Sequence, residues 1–324
     1  MDVAAVTVTY GNRIHFLIEV IQATLLQGID KIIIVSNGSS LETKNKLIEL
    51  ENTDKRIQVI DLKENTGSAN GFHQGIKQAY DSGFNYIWLL DDDNKPGKEA
   101  LKILKSEYKR IVDDNKKNLI ALLSYREDRE IYLKAINSGN PRLMLGTNNS
   151  FLGFNLFDRL RVNHKNSEKE TLDNKEIGEV AVAPYGGLFF NRLMVDYIGL
   201  PDIKYFLYGD DYDYTYRLTK KGGKILLVKN SILYDLEKSF HLKKSNSLVN
   251  NRYLNTNSKL RIFYSVRNGI IFESNFVNSR AVYFFNAIIY LILLLILMLF
   301  KPNHLWKYPL ILKGAIGGIK RLND

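Results

Sequence analysis

Cysteine is absent from all 324 residues. That excludes disulfides, Cys-ligated zinc and thiol nucleophiles, and is compatible with a reducing compartment. The opening Met1-Asp2-Val3-Ala4-Ala5-Val6-Thr7-Val8 has no basic n-region and runs straight into a strand pattern, so no secretory signal is expected and the protein should start in the cytoplasm. Neither a Walker A loop nor a Gly-x-Gly-x-x-Gly dinucleotide loop occurs where a small-residue stretch, Asn65 to Gly71, would invite one. Basic residues outnumber acidic ones, 45 to 35, for a net charge of +10 that favours anionic lipid, nucleic acid or phosphorylated substrates. They are dispersed and form no recognisable nucleic-acid module, so nucleic acid is not an expected partner.

What is present is an ordinary globular balance, 45% apolar and 25% charged, in a chain long enough for one large domain or two moderate ones. Its most informative stretch is Tyr86-Ile87-Trp88-Leu89-Leu90-Asp91-Asp92-Asp93. A short continuous apolar run reads as a buried strand, and the carboxylates that end it belong at the strand's carboxyl edge. That edge is where open α/β sheets bind ligands, and hard cations such as Mg²⁺ or Mn²⁺ bridge carboxylates to phosphates there. A solvated acidic loop is the competing reading of the same triplet.

Strands are predicted at Val3–Thr9, Lys31–Val35, Ile57–Ile60, Tyr86–Leu90 and Leu119–Ser124, with helices to Leu26, to about Leu50, to near Gly83 and from Pro96 to Val112. Ser36-Asn37-Gly38-Ser39-Ser40 reads as turn and N-cap chemistry. This alternation requires right-handed crossovers, hence a doubly wound, mostly parallel α/β sheet. The small residues from Asn65 to Gly75 would admit a ligand close to backbone, or simply start a helix. Residues 126–175 are mixed and polar with no sustained period and read as an insertion or an acceptor-facing region. Val180 to Phe190 reads as strand, Gly186-Gly187 turn, strand, the glycines admitting a sugar or making an ordinary tight turn.

A second acidic cluster, Tyr208-Gly209-Asp210-Asp211-Tyr212-Asp213, opens a helical pattern that ends at Gly222-Gly223. Asp213 and Arg217 are spaced for an i,i+4 pair, which accounts for one aspartate of the three. A carboxylate beyond a metal site is what glycosyl or phosphoryl transfer needs as a general base. His241, after a further strand at Lys224–Val228, is either structural or a ligand.

In this order the motifs resemble the family 2 glycosyltransferases, inverting enzymes of the GT-A fold, and more narrowly their galactofuranosyl- and rhamnosyltransferase members. Val6 to Tyr10, Asn37-Gly38-Ser39, Asn65 to Phe72, Trp88 to Asp93 with Pro96, Gly186-Gly187, Asp210-Asp211 and His241 carry the likeness, over about residues 3 to 270. The resemblance implies a DxD element in which Asp93 and His241, with Asp91, hold Mn²⁺ or Mg²⁺, Asp91 lying near the nucleotide ribose. It implies a donor site including Thr9, Tyr10, Asn37, Asn65, Gly67, Ser68, Asp91 and Asp92. It also implies Asp211 as general base and Asp210 positioning the acceptor, with Gly186, Gly187, Tyr208, Tyr264 and Arg267 on the acceptor side. The family commonly has Asp where this chain has Ser36, which leaves that nucleotide contact without its usual residue.

Tyr283 to Phe300 is apolar except for Asn286. As a helix it reaches roughly 27 Å, the short limit for a bilayer. Lys301, Lys307, Lys313, Lys320 and Arg321 follow it, so an in-plane or re-entrant helix on the cytoplasmic membrane face is expected, with Tyr264, Arg267 and Asn268 placed near an acceptor at the lipid surface. The expected organisation is a catalytic domain over 1–270 and membrane-associating helices over 271–324. The expected activity is inverting, metal-dependent transfer of a sugar from UDP-galactofuranose, or alternatively dTDP-rhamnose, to a lipid-linked or cell-surface glycan. A nucleotidyltransferase and a non-catalytic membrane-bound sugar-binding module are the readings from other classes, and self-association is left open.

Overall fold

The computed structural model describes residues 1–114, 119–161, 175–237 and 255–321. It divides into two compact units, the first made of residues 1–144, 172–206 and 210–239, the second of 145–171, 207–209 and 240–324.

In the first unit, nine strands form one sheet in the order β3-β2-β1-β4-β8-β6-β9-β5, with β7 on β9. These are β1 Val3–Gly11, β2 Lys31–Ser39, β3 Ile57–Leu62, β4 Tyr86–Asp91, β5 Asn94–Pro96, β6 Ile120–Tyr125, β7 Ile177–Val180, β8 Leu188–Asn191 and β9 Lys224–Asp235. β1 to β4 run parallel, as the alternation with helices requires, and β6 runs parallel to β9. The short β8 lies antiparallel between β4 and β6. Both faces are buried, which is why the strands read as continuous apolar runs. Ala4, Val6, Ile33, Ile87, Leu89, Ala121 and Leu123 point to one core, and Val3, Ala5, Ile32, Ile34, Trp88, Leu90, Ile120 and Leu122 to the other. Helices α3 (Gly67–Asp81), α5 (Glu130–Ser138) and α8 (Asp210–Lys220) cover the first face; α1 (Ile14–Leu25), α2 (Leu41–Thr53) and α4 (Ala100–Asp114) cover the second.

The strand positions follow the expectation, with instructive differences. Ser36 to Ser39 extend β2 instead of turning, because Ser36 and Asn37 pair with Asp61 and Leu62 of β3. Gly186-Gly187 does not make a hairpin: β7 pairs with β9 while β8 pairs with β4 and β6. The segment read as a structureless insertion contains α5 and α6 (Leu156–Arg161), too short and polar for their period to stand out. The small-residue stretch is the first half of α3. A Cβ on Gly71 would stand 2.5 Å from Val8 Cγ1, one on Gly75 2.4 Å from Val6 Cγ1, and one on Gly67 (φ +85°) 2.0 Å from the Phe206 carbonyl oxygen. Gly71 and Gly75 let the helix lie flush on β1, as the helix-start reading of this stretch requires.

In the second unit, α9 (Lys259–Glu273), α10 (Arg280–Leu299) and α11 (Tyr308–Arg321) enclose a core of Ile262, Val266, Ile270, Tyr283, Tyr290, Leu294, Met298 and Ile311 with Phe151 and Phe154. α9 belongs wholly to this unit, so the division falls before it and not at 270. Asn286, the polar break in the apolar run, is fully buried; it accepts from Leu156 N at 3.0 Å and donates to the Asn149 carbonyl at 2.9 Å. One side of α10 (Tyr283, Ala287, Tyr290, Leu294, Met298) is buried, while Phe284, Phe285, Ile288, Ile292, Ile296 and Leu299 form an exposed apolar stripe on the other. α10 is the one helix among the described residues long and apolar enough to cross a membrane.

Because α3 touches β1 through hydrogen alone at Gly75, Gly75→Ala should lower stability by about 1–3 kcal/mol, read as a reduced midpoint in urea unfolding of the purified protein. A wild-type midpoint would mean that α3 can move away from Val6 at no cost.

Candidate functional site

Asp91 ends β4 in register with Val8 of β1, at the carboxyl edge of the sheet. The three carboxylates that follow one another there have different surroundings. Asp92 turns inward: the Thr9 hydroxyl donates to it at 2.8 Å, and Arg13 Nε donates to both its oxygens at 2.9 and 3.0 Å. Arg13 also pairs with Glu237 at 2.8 Å, and its guanidinium lies 5.4 and 5.1 Å from the rings of Tyr10 and Phe16. Thr9 and Asp92 are therefore a brace between β1 and the turn after β4, and Tyr10 stands exposed beside it.

Asp93 and Asp91 are less well compensated. Asp93 is pushed up to about 7 by burial and by the carboxylates of Asp91 and Asp92, against which Arg13, 3.5 Å away, is insufficient. Burial raises Asp91 as well, tempered because 39% of its side chain reaches solvent, while Arg126 at 3.7 Å opposes the rise and Asp92 and Asp235 add to it. Asp235, at the end of β9, accepts from Arg129 Nη2 at 2.5 Å and from Asn94 Nδ2 at 2.8 Å. Asn94 Oδ1 is buried with no donor among the described residues. It faces Gly186, where a Cβ would lie 2.0 Å from that oxygen, 2.3 Å from Arg126 Nη2 and 2.6 Å from Asp91 Oδ2. Side chains of the protein thus fill the space beside Gly186.

Carboxylates that raise one another's proton affinity are a donor set suited to a hard cation. Asp91 and Asp93 fit that role. No group of three or more such side chains forms a complete cation cage among the described residues, so other oxygens would have to complete the shell. His241 lies outside the described residues.

Toward the β2 edge, Asn37 organises the entry to α3. Its Oδ1 accepts from Thr66 N at 2.9 Å and from the Thr66 hydroxyl at 3.0 Å, while its Nδ2 donates to the Gly67 carbonyl at 2.9 Å. Asn65 Oδ1 accepts from Gly67 N at 2.9 Å. Asn37, Asn65 and Gly67 are thus brought together as one hydrogen-bonded turn. Ser36 donates to Asp61 at 3.1 Å, so a carboxylate is present there after all, on the neighbouring strand.

Asp210 and Asp211 begin α8. Asp210 is buried, with the Ser68 hydroxyl 3.3 Å away, and burial and the adjacent Asp211 hold its carboxyl well above the usual range. Asp211 is pushed up to about 7, by burial first and then by the Asp91 carboxylate, with the Tyr212 N–H and Arg126 opposing. The two acidic motifs, more than a hundred residues apart, therefore share one electrostatic field. Asp213 makes the expected pair with Arg217 at 3.2 Å.

Tyr208, Tyr264 and Arg267 belong to the second unit. There Arg267 lies 4.7 Å from the Tyr264 ring and donates to Asn268 Oδ1 at 2.9 Å. Asn268, expected near an acceptor, is fully buried and gives its amide to the carbonyls of Leu207 and Tyr208 at 2.7 and 2.8 Å. Sequence reasoning passed over Arg13, Asn94, Arg126, Arg129 and Asp235. The one local signal was Arg126-Glu127-Asp128-Arg129, a charged run directly after an apolar strand, the same pattern that marked Asp91.

Residues 5–158 match the family model described as Glycosyl transferase family 2. Just under half of the chain thus matches the family 2 glycosyltransferase model, which supports the transferase reading over the nucleotidyltransferase and binding-module ones. Galactofuranosyltransferase GlfT1 of Mycolicibacterium smegmatis is 24% identical over 225 residues, covering 68% of this chain and 66% of that protein. Poly-beta-1,6-N-acetyl-D-glucosamine synthase of Staphylococcus aureus is 37% identical over 70 residues, 22% of this chain and 16% of the synthase. The chain thus spans just under two thirds of the first relative and a small part of the second. Among solved structures, the mannosyltransferase PcManGT from Pyrobaculum calidifontis, in complex with GDP-Man and Mn²⁺, superposes with a TM-score of 0.51 at 12% identity, covering 98% of this chain and 86% of that one. That likeness is one of fold, and the fold is GT-A-like.

The contrast between neighbouring carboxylates gives a prediction. Asp92→Ala leaves Arg13 partly uncompensated and should destabilise the protein by about 3 kcal/mol, whereas Asp93→Ala removes repulsion and should leave the midpoint of metal-free unfolding unchanged or higher. The sign follows from linkage: a carboxyl raised to about 7 in the fold reduces stability as pH climbs from about 4 towards 7. Equal losses in both variants would refute the assignment of separate roles.

Proposed function

We propose that this chain transfers a sugar, with inversion, from a nucleotide sugar to a hydroxyl of a lipid-linked or cell-surface glycan. UDP-galactofuranose is the favoured donor, on the strength of the likeness to GlfT1 over 68% of this chain. The observation that carries the mechanism is the lift of Asp211 to about 7 through a field that includes Asp91. It puts a proton acceptor, tuned to neutral pH, within electrostatic reach of the carboxylate expected to face the diphosphate.

Burial raises the carboxyls of both Asp210 and Asp211, and their positions suit different roles. Asp210, buried and beside Ser68, orients the acceptor. Asp211, ionised, takes the proton of the attacking hydroxyl. The acceptor oxygen bonds to the anomeric carbon as the bond from that carbon to the diphosphate breaks on the opposite face, and the configuration inverts. Asp91 and Asp93, with His241, would hold Mn²⁺ or Mg²⁺, which when bound supplies positive charge to the departing diphosphate. The turn held by Asn37, Asn65 and Gly67, together with Thr9 and Tyr10, supports the nucleoside; Gly186 and Gly187 shape the opposite wall.

The rate of transfer should rise with pH through an apparent value near 7, because only the ionised form of Asp211 accepts the proton. Asp211→Asn should lower transfer by about two to four orders of magnitude and abolish that rise, while the stabilisation by UDP with Mn²⁺ in a thermal-shift assay persists. Near-normal transfer by the variant would remove Asp211 from the role. Stabilisation by dTDP and not UDP would redirect the donor to dTDP-rhamnose.

The second unit supports the membrane part of the reading. The exposed stripe from Phe284 to Leu299 is apolar, and Arg280 and Lys301 stand at its two ends. An apolar stripe with basic flanks suits a helix lying in the plane of an anionic leaflet. Ile288→Lys with Ile292→Lys should weaken co-sedimentation with anionic vesicles by about tenfold or more without changing thermal stability. Unchanged binding would mean that α10 does not meet the lipid.

A further inference from the structure

Arg126 follows β6 directly and is 5% exposed. Its Nη2 donates to the Gly186 carbonyl at 2.7 Å and lies 3.7 Å from Asp91 Oδ2; its Nη1 lies 3.5 Å from Asp235 Oδ1. Asp235 is in turn held by Arg129 and Asn94. The separation from Asp91 is beyond hydrogen-bonding range, so the two interact by charge and by packing against Gly186. So deeply buried a guanidinium does not reach into solution for a substrate. Its effect on ligands is exerted through Asp91.

A fixed cation at this distance from Asp91 repels any second cation that approaches the same carboxylate. A nucleoside diphosphate brings negative charge of its own and offsets that repulsion. We propose that Arg126 is a positioning residue that holds Asp91 against Gly186 and, through its charge, makes divalent-cation binding dependent on the nucleoside diphosphate. The proposal rests on the reading of Asp91 and Asp93 as cation ligands given above. It adds that the ion and the diphosphate bind as coupled partners, each tightening the other by the same factor.

The test is Mn²⁺ binding to the full chain, followed by electron paramagnetic resonance of free Mn²⁺, with and without UDP. Wild type should bind Mn²⁺ weakly alone and more tightly with UDP. Arg126→Met should bind Mn²⁺ alone about tenfold more tightly, with the UDP effect reduced and transfer impaired. Arg126→Lys should retain most of the coupling, and Lys77→Met, a remote loss of the same charge, should change Mn²⁺ affinity less than twofold. A structural role alone would weaken binding in the variants or leave it unchanged, and that result overturns the proposal. Should Arg126→Met not fold, Arg126→Gln reads the same loss of charge with a hydrogen-bonding end kept: it should tighten binding of Mn²⁺ alone, and weaker or unchanged binding overturns the proposal. Absence of Mn²⁺ binding to wild type even with UDP would instead overturn the cation reading itself, and this inference with it.

Discussion

Negative charge crowded at the carboxyl end of β4 is the constraint to which the rest of the first unit answers. The sheet buries both faces, so the chain leaves the core at Asp91 with little room for water, and successive carboxylates must be compensated by protein. Arg13 from the β1–α1 turn compensates Asp92. Arg126 after β6 opposes the charge of Asp91 and is itself paired with Asp235 at the end of β9. These groups come from the ends of β1, β6 and β9, which the sheet order brings to the end of β4 directly or across the short β8, so the topology builds the charge network. What remains uncompensated is left on Asp91 and Asp93.

Close approach of backbone is the second constraint, met at α3 and at Gly186. α3 lies flush on β1 because Gly71 and Gly75 offer no side chain to Val8 and Val6. Its first turn is then near enough for Ser68 to reach Asp210 at the start of α8. Gly186 lets Asn94, Arg126 and Asp91 share a space that any Cβ would occupy. In both places a missing methyl group brings polar side chains from distant parts of the sequence together.

The order of strands and helices from Val3 to Ser124 was legible because each element writes its own period. The carboxylates at the strand end were legible for a related reason: an apolar run that stops in aspartates marks where the sheet meets solvent. The Asp213–Arg217 pair was readable from spacing alone, since a helix brings i and i+4 together. Pairing across the sheet was not legible. Nothing local to Ile177–Val180 or Leu188–Asn191 says that they lie on different neighbours, and the glycines between them imitate a hairpin. Arg13 with Asp92, and Arg126 with Asp235, are likewise partnerships over 79 and more than a hundred residues, invisible before the sheet order is known. Glycine-rich sequence is ambiguous in kind, because the same lack of a side chain serves a ligand or a neighbouring strand.

The insertion of β8 between β4 and β6 also sets an order of assembly. β1 to β4 are contiguous in the chain and can pair as soon as residue 91 is made, but the β4 edge facing β8 stays open until residues 188–191 exist. Through that interval the growing chain exposes an apolar strand edge, Tyr86 to Leu90, of the type that pairs promiscuously. The aspartates that follow the strand keep like charges at the end of that edge. The carboxylates proposed above as cation ligands thereby also give the nascent chain like charges that oppose edge-to-edge association.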